Sequence, residues 1–123
     1  MLVDGFRRGL VVPEGLIAHG RGETYDYLLG ERTTETAQRA IKAAAAMLLL
    51  SSRPVISVNG NTAALCANTV VELARVAGAA IEVNIFYRTE EREKAIKAEL
   101  ELHGAKNVLA VGSKASARIP KLQ

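Results

Sequence analysis

Ser57-Val58-Asn59-Gly60-Asn61 is the stretch on which the fold of this 123-residue chain turns. An apolar strand, Pro54 to Val58, gives way here to an amphipathic helix beginning near Thr62. A tight Gly/Asn turn at the carboxyl end of a strand, opening into a helix, is how α/β proteins build an anion site. Gly60 permits a positive φ and a close backbone approach, and asparagine tolerates the left-handed region. The helix that follows offers unpaired N–H groups and a partial positive charge to a phosphate or carboxylate. A turn that binds nothing has the same spacing, so its neighbours must decide.

Upstream, Asp4 to Leu10 has helical spacing and Val11-Val12-Pro13-Glu14-Gly15 reads as a turn. Leu16 to Glu23 combines a short apolar run with a polar loop, and Asp26 to Leu29 forms one helical turn. Thr33 or Thr34 caps the next helix, with Glu35 well placed in its first turn. Its apolar face is Ala37, Ala40, Ile41, Ala44, Ala45 and Leu48, and Pro54 requires that it end by Ser51 or Ser52.

Downstream, Ala63, Ala67, Val70, Ala74 and Ala77 define a second helix face, closed by Gly78. Ala80 to Phe86 is the next strand, with Ile81, Val83 and Ile85 on one side and Glu82 and Asn84 on the other. Thr89 caps a third helix carrying Glu90–Lys94 and Glu93–Lys97 pairs and ending at His103-Gly104. Asn107 to Val111 is a third strand, followed by a basic tail. Each strand-to-strand crossover contains a helix, which calls for a mostly parallel sheet with right-handed connections. The ligand crevice of such a sheet lies at the carboxyl ends of its strands. Ser57 to Asn61, Asn84 to Thr89 and Gly112 to Arg118 follow those ends and should converge on it.

Composition narrows the function. Apolar residues at 49% and charged residues at 24% suit a folded globular domain. Three Tyr, two Phe and no Trp leave little for a base-stacking platform, so no nucleic-acid partner is expected. A net charge of +3 suits an anionic small molecule. The single cysteine, Cys66, cannot form an internal disulfide, which favours a reducing compartment, and it reads as a small core residue. No charged-then-apolar leader is seen and the longest apolar block, Ala43 to Leu50, is too short to span a bilayer. The expectation is a cytoplasmic protein with no membrane partner. No Cys/His spacing for a metal, no Walker A lysine motif, no GxGxxG and no Ser/His/Asp pattern occurs.

Three constellations remain. His19-Gly20-Arg21-Gly22-Glu23 packs two glycines around an arginine, either as a phosphate-binding loop or as a surface turn whose arginine pairs with Glu23 or Glu31. Asn84-Ile85-Phe86-Tyr87-Arg88-Thr89 leaves its strand with polar, aromatic and cationic groups in succession. Asn84 and Arg88 can hold a carboxylate or phosphate while Tyr87 stacks or hydrogen-bonds; an edge-strand exit explains Thr89 but not Asn84. Lys114, Arg118 and Lys121 in the tail fit a solvated face.

Taken in order, Gly15-Leu16-Ile17-Ala18-His19-Gly20-Arg21-Gly22-Glu23, Asp26-Tyr27-Leu28, Gly30-Glu31-Arg32-Thr33, Ser57-Val58-Asn59-Gly60-Asn61, Phe86-Tyr87-Arg88-Thr89-Glu90-Glu91-Arg92 and Arg118-Ile119-Pro120 resemble the archaeal phosphopantothenate synthetases, the 4-phosphopantoate–β-alanine ligases of coenzyme A biosynthesis. The resemblance covers nearly the whole chain. It implies a Rossmann-like, three-layer α/β domain and a homodimer. It also implies an ATP-dependent amide bond between 4-phosphopantoate and β-alanine, with AMP and diphosphate released through an acyl-adenylate and Mg2+ sharing the phosphate charge. By resemblance Arg21 is an ATP-binding position, and His19, Gly20 and Gly22 belong with it. The residues themselves add Ser57, Asn59, Gly60 and Asn61 as a phosphate or substrate cradle, and Asn84, Tyr87 and Arg88 as the substrate clamp. No catalytic residue and no metal ligand is assigned.

The expected organisation is one domain: an N-terminal helix and substrate loop over 1–33, a βα core over 34–111 and a basic tail over 112–123. Members of that family are about twice as long, so the chain reads as an N-terminal half, completed by a partner or by the rest of a longer enzyme. The rival expectation is a non-catalytic phosphate-ligand or nucleotide-binding or assembly module of the same fold.

Overall fold

Three capping residues and a proline set the frame of the structure, a computed structural model that describes residues 1–113. Thr34 Oγ1 accepts from the Ala37 N–H, Asn59 Oδ1 from Thr62 and Thr89 Oγ1 from Arg92, each satisfying an amide the first turn of its helix leaves unpaired. Pro13 starts another helix, where its missing N–H costs nothing. The elements run α1 (Leu2–Arg7), α2 (Pro13–Gly20), α3 (Gly22–Leu29), α4 (Glu35–Leu50), β1 (Val55–Val58), α5 (Gly60–Ala77), β2 (Ala80–Val83) and α6 (Glu90–Leu102). Gly78, at φ 62°, closes α5 in the left-handed conformation.

β1 and β2 pair in parallel, Val55 opposite Ala80 through Val58 opposite Val83. The expected third strand is reduced to a parallel bridge: Leu109 donates to Ile81 O and accepts from Val83 N, on the side of β2 away from β1. Right-handed crossovers that advance in one direction put their helices on one face, and α5 and α6 do lie side by side against the sheet. The chain is an α/β domain of the Rossmann-like kind.

The core lies between that sheet and those helices. Val58, Ile96, Leu100 and Leu10 are fully buried, each side chain contributing roughly 1.5–3 kcal/mol of transfer free energy. Ala63, Ala67, Val70 and Ala74 form the buried stripe of α5, as their spacing predicts. Cys66 falls beside that stripe and is exposed instead of packed, at a break in the helical backbone (φ −147°, ψ 34°). On β2, Ile81 and Val83 turn inward while Asn84 just beyond it is exposed.

Three further expectations change. The stretch His19 to Glu23 is a helix-to-helix junction and no loop: α2 runs through Gly20, Arg21 has right-handed helical angles, and α3 starts at Gly22. The Glu93–Lys97 pair does not form, because Glu93 faces inward and takes Arg88 (2.9 Å), while Lys97 approaches Glu101. The apolar face of α4 is uncovered among the described residues: only Ala37 and Leu48 are half-buried, and Ile41, Met47, Leu49 and Leu50 stand in solvent. Among the described residues no helix is long and apolar enough to cross a membrane. Lys114, Arg118, Lys121, the Arg118-Ile119-Pro120 match and most of the 112–123 tail lie outside the described residues.

Candidate functional site

At the carboxyl ends of β1 and β2 lies a cleft of about 700 Å³. The β1–α5 turn lines it with Ser57, Asn59, Gly60 and Asn61, and the exit from β2 with Asn84, Ile85, Phe86 and Tyr87. The turn into α2 and that helix add Val12, Glu14, Gly15 and Ala18, and α6 adds Arg92. Two of the three strand-end segments therefore meet, as a parallel sheet requires. Beyond Ser113 the third segment lies outside the described residues, and the opposite wall is built by α2.

The turn owes its shape to close contact. Gly60 is not at positive φ; it is the first residue of α5, and a Cβ there would stand 2.0 Å from Leu10 O. The backbone of Leu10 is thus pressed onto the start of α5, where a side chain of any size would push it away. Gly15 serves the opposite wall in the same manner. Asn61 Nδ2 donates to Gly15 O (2.8 Å), and a Cβ on Gly15 would lie 2.6 Å from Asn61 Oδ1. Asn61 thereby pins α2 to α5.

Asn59 spends its carbonyl oxygen on the Thr62 N–H (2.9 Å), and its side-chain NH2 has no protein partner among the described residues. Ser57 and Glu82 stand opposite one another in the sheet register. The Ser57 hydroxyl donates to Glu82 Oε1 (2.8 Å) and accepts from Asn84 Nδ2 (3.2 Å). Asn84 also continues the ladder, its N–H donating to Val58 O (2.9 Å), which accounts for its place just past β2. Phe86 is fully exposed at the cleft wall, and Tyr87 is half exposed beside it.

Arg92 is the residue that sequence reasoning missed. It lies three residues past the Thr89 cap, so the first turn of α6 carries it back over the strand ends. Its guanidinium donates to Leu10 O (3.0 Å) and to Tyr87 O, tying two cleft walls together. Burial lowers its pKa, a shift opposed by the charge of Glu14. The signal was available: a cap followed at its third position by a cation, directly after a strand exit.

The other candidates lie elsewhere. Arg88 does not line the cleft; its Nε is held by the buried Glu93 carboxylate, and the rest of its side chain is exposed. His19, Gly20, Arg21 and Gly22 are exposed and line no part of the cleft. Arg21 pairs with neither Glu23 nor Glu31; Glu23 instead accepts from the Tyr27 hydroxyl (3.2 Å). Among the described residues, no three His, Cys, Asp or Glu side chains gather to hold a metal.

Sequence comparison shows which known proteins the chain resembles. Residues 36–123 match the phosphopantothenate/pantothenate synthetase family. The chain is 51% identical over 122 residues to a 4-phosphopantoate–β-alanine ligase of Thermococcus onnurineus, covering 99% of this chain and 46% of the relative. A ligase of the same description from Methanospirillum hungatei is 58% identical over 98 residues, covering 80% of this chain and 40% of the relative. One from Methanosarcina mazei is 53% identical over 112 residues, covering 91% and 44%. The chain spans about half the length of the curated relatives it matches. With a family match over most of its length and half its residues shared with these proteins, the chain belongs to the phosphopantothenate/pantothenate synthetase family.

Proposed function

We propose that this chain forms the anionic-substrate part of an ATP-dependent ligase that joins 4-phosphopantoate to β-alanine. The observation that carries the reading is the cleft at the strand ends, lined by three asparagines, a serine and one guanidinium, in a chain half identical to proteins named for that reaction. Neutral amide and hydroxyl donors with one fixed cation suit a small, multiply oxygenated anion.

The pantoate carboxylate would attack the α-phosphorus of ATP, releasing diphosphate, and the β-alanine amine would then open the acyl-adenylate, releasing AMP. Such chemistry asks the protein mainly to position reactants and spread phosphate charge. In this reading Asn59, Asn84 and Arg92, which line the cleft, would orient the phosphorylated acid, while Ser57 and Asn61 hold neighbouring segments together. The nucleotide would sit toward the α2–α3 junction, where Arg21 is exposed and Gly20 and Gly22 have open space around them. Magnesium in nucleotide sites is held largely by phosphates with one or two carboxylates. In this reading the ion would enter with ATP, its charge shared by the phosphates.

Completion requires another surface. The exposed apolar residues of α4, with Tyr25, Tyr27, Leu28 and Leu29 of α3, fit contact with a second copy in a homodimer or with the remaining part of the relatives' length. AMP release from 4-phosphopantoate, β-alanine and Mg-ATP tests the reading, assayed with the chain joined to the half of a relative that it does not span. AMP formation dependent on both substrates supports it. Substrate binding without AMP in that complete form overturns it in favour of a non-catalytic binding module.

A further inference from the structure

The exit from β2 forms a wall of the cleft without a ladder of its own. Among the described residues, the backbone of Ile85 to Arg88 makes no hydrogen bond to other backbone, although Asn84 just before it still pairs with Val58. Burial does not hold Phe86 or Tyr87 either, since the first is fully exposed and the second more than half so. The segment is fastened instead by the first turn of α6. There Arg92 donates to Tyr87 O, and Glu93 Oε1 accepts from Arg88 Nε at 2.9 Å.

Glu93 is the costly half of this fastening. Its side chain is 2% exposed, lines no part of the cleft and carries a charge that burial penalises. Its second oxygen, Oε2, is buried with no hydrogen-bond partner among the described residues. A buried acceptor without a donor lowers stability, and an apolar side chain of similar volume would avoid that cost. Nor does the helix dipole call for it, because Glu90 and Glu91 already place exposed carboxylates at the amino end of α6. Stability alone therefore does not account for a carboxylate here. What it grips does: Arg88 directly follows the cleft-lining residues Asn84 to Tyr87, so holding it fixes where the wall ends.

We infer that Glu93 is a positioning residue: by holding Arg88 it sets the place of the Phe86–Tyr87 wall and, through that wall, the affinity of the cleft for the small acid substrate. Arg88 is the tether and touches no ligand. The identity of the ligand rests on the ligase reading, whereas the tether stands on geometry.

Glu93→Leu combined with Arg88→Met replaces the pair by apolar side chains and leaves every residue of the cleft lining in place. Relaxation of 15N in the ligand-free chain reads the wall, and calorimetric titration with 4-phosphopantoate reads the cleft. The urea midpoint of the double variant should equal or exceed the parent's. The backbone order parameters of Phe86 and Tyr87 should nevertheless fall from about 0.85 to about 0.6. Affinity for 4-phosphopantoate should fall about fivefold, as expected of a residue that acts without touching the ligand. Arg88→Lys still offers the carboxylate a cation and should keep most of the order and affinity. A folded double variant with the parent's order parameters, or with the parent's affinity, overturns the inference, as does an Arg88→Lys chain that loses as much as the double variant. Should the double variant not fold, Glu93→Gln, which keeps the shape and drops the charge, carries the same comparison. If the parent chain binds no 4-phosphopantoate, the ligase reading falls, and the relaxation comparison alone decides the role of Glu93.

Discussion

Replacing Gly60 by alanine should unseat the wall of the cleft. In a helix the exchange ordinarily gains up to about 1 kcal/mol. Here the new methyl carbon would lie 2.0 Å from Leu10 O and 3.0 Å from Leu10 C, against 3.4 Å for ordinary contact. The obstacle is backbone of a fully buried residue, so it cannot swing aside as a flexible side chain would. Overpacking of this kind costs roughly 1–3 kcal/mol, and displacing Leu10 also strains its bond from Arg92, a charged hydrogen bond worth about 1.5–3 kcal/mol. Net destabilisation of about 2–4 kcal/mol is expected once the helix-propensity gain is subtracted. Urea unfolding followed by circular dichroism reads it as a lower midpoint at constant slope. Gly20→Ala is the control: nothing lies within 4 Å of its added methyl, and stability should be unchanged or slightly raised. A Gly60→Ala chain as stable as its parent would refute the close-contact account of the turn.

Asn59→Ala should cost about 1 kcal/mol through the lost cap on Thr62, whereas Asn59→Asp retains the cap; equal loss in both, by the same unfolding assay, would show that the amide and not the cap matters. Arg88→Ala leaves the buried Glu93 carboxylate unpaired and should destabilise by about 1–3 kcal/mol, with much of the loss restored by adding Glu93→Gln; no restoration would contradict the ion pair's role. Ile41→Glu with Met47→Glu should change monomer stability by no more than about 0.5 kcal/mol yet reduce self-association in sedimentation, and undiminished association would clear α4 of an interface role. Arg21→Ala should weaken ATP by more than the ~1 kcal/mol of an exposed ion pair, and unchanged affinity in titration would remove Arg21 from the nucleotide site.

Where local chemistry dominates, the chain is readable from its residues. Thr34, Asn59 and Thr89 each sit where a short polar side chain precedes a helical run, and each caps its helix. The α5 stripe and the alternation along β2 follow from periodicity, and the parallel pairing follows from the helix in each crossover. Contacts between segments far apart in sequence are not readable that way. Nothing near Gly60 announces that Leu10 will press on it, and nothing near Asn61 announces Gly15.

The two arginines show the same divide. Arg88 stands beside the strand exit and looks like the clamp, but it turns to Glu93, five residues on and buried by the inward face of α6. Arg92, which reads as an ordinary helix-surface residue, reaches Leu10 across 82 positions of chain. Gly20 and Gly22 suggest a loop by composition, but two helices meet there because neither glycine needs a special backbone angle. The face of α4 is legible as amphipathic, while its exposure among the described residues is not.

The location of substrate binding is tested most directly by titrating the isotope-labelled chain with 4-phosphopantoate and following its amide and arginine side-chain NMR signals. Binding in the cleft shifts the amides of Gly60, Asn61 and Asn84 together with Arg92 Nε–H, and leaves His19 to Gly22 and Arg88 unmoved. Shifts confined to the α2–α3 junction or to Arg88, with the Gly60 turn silent, would contradict the placement of the substrate at the strand ends.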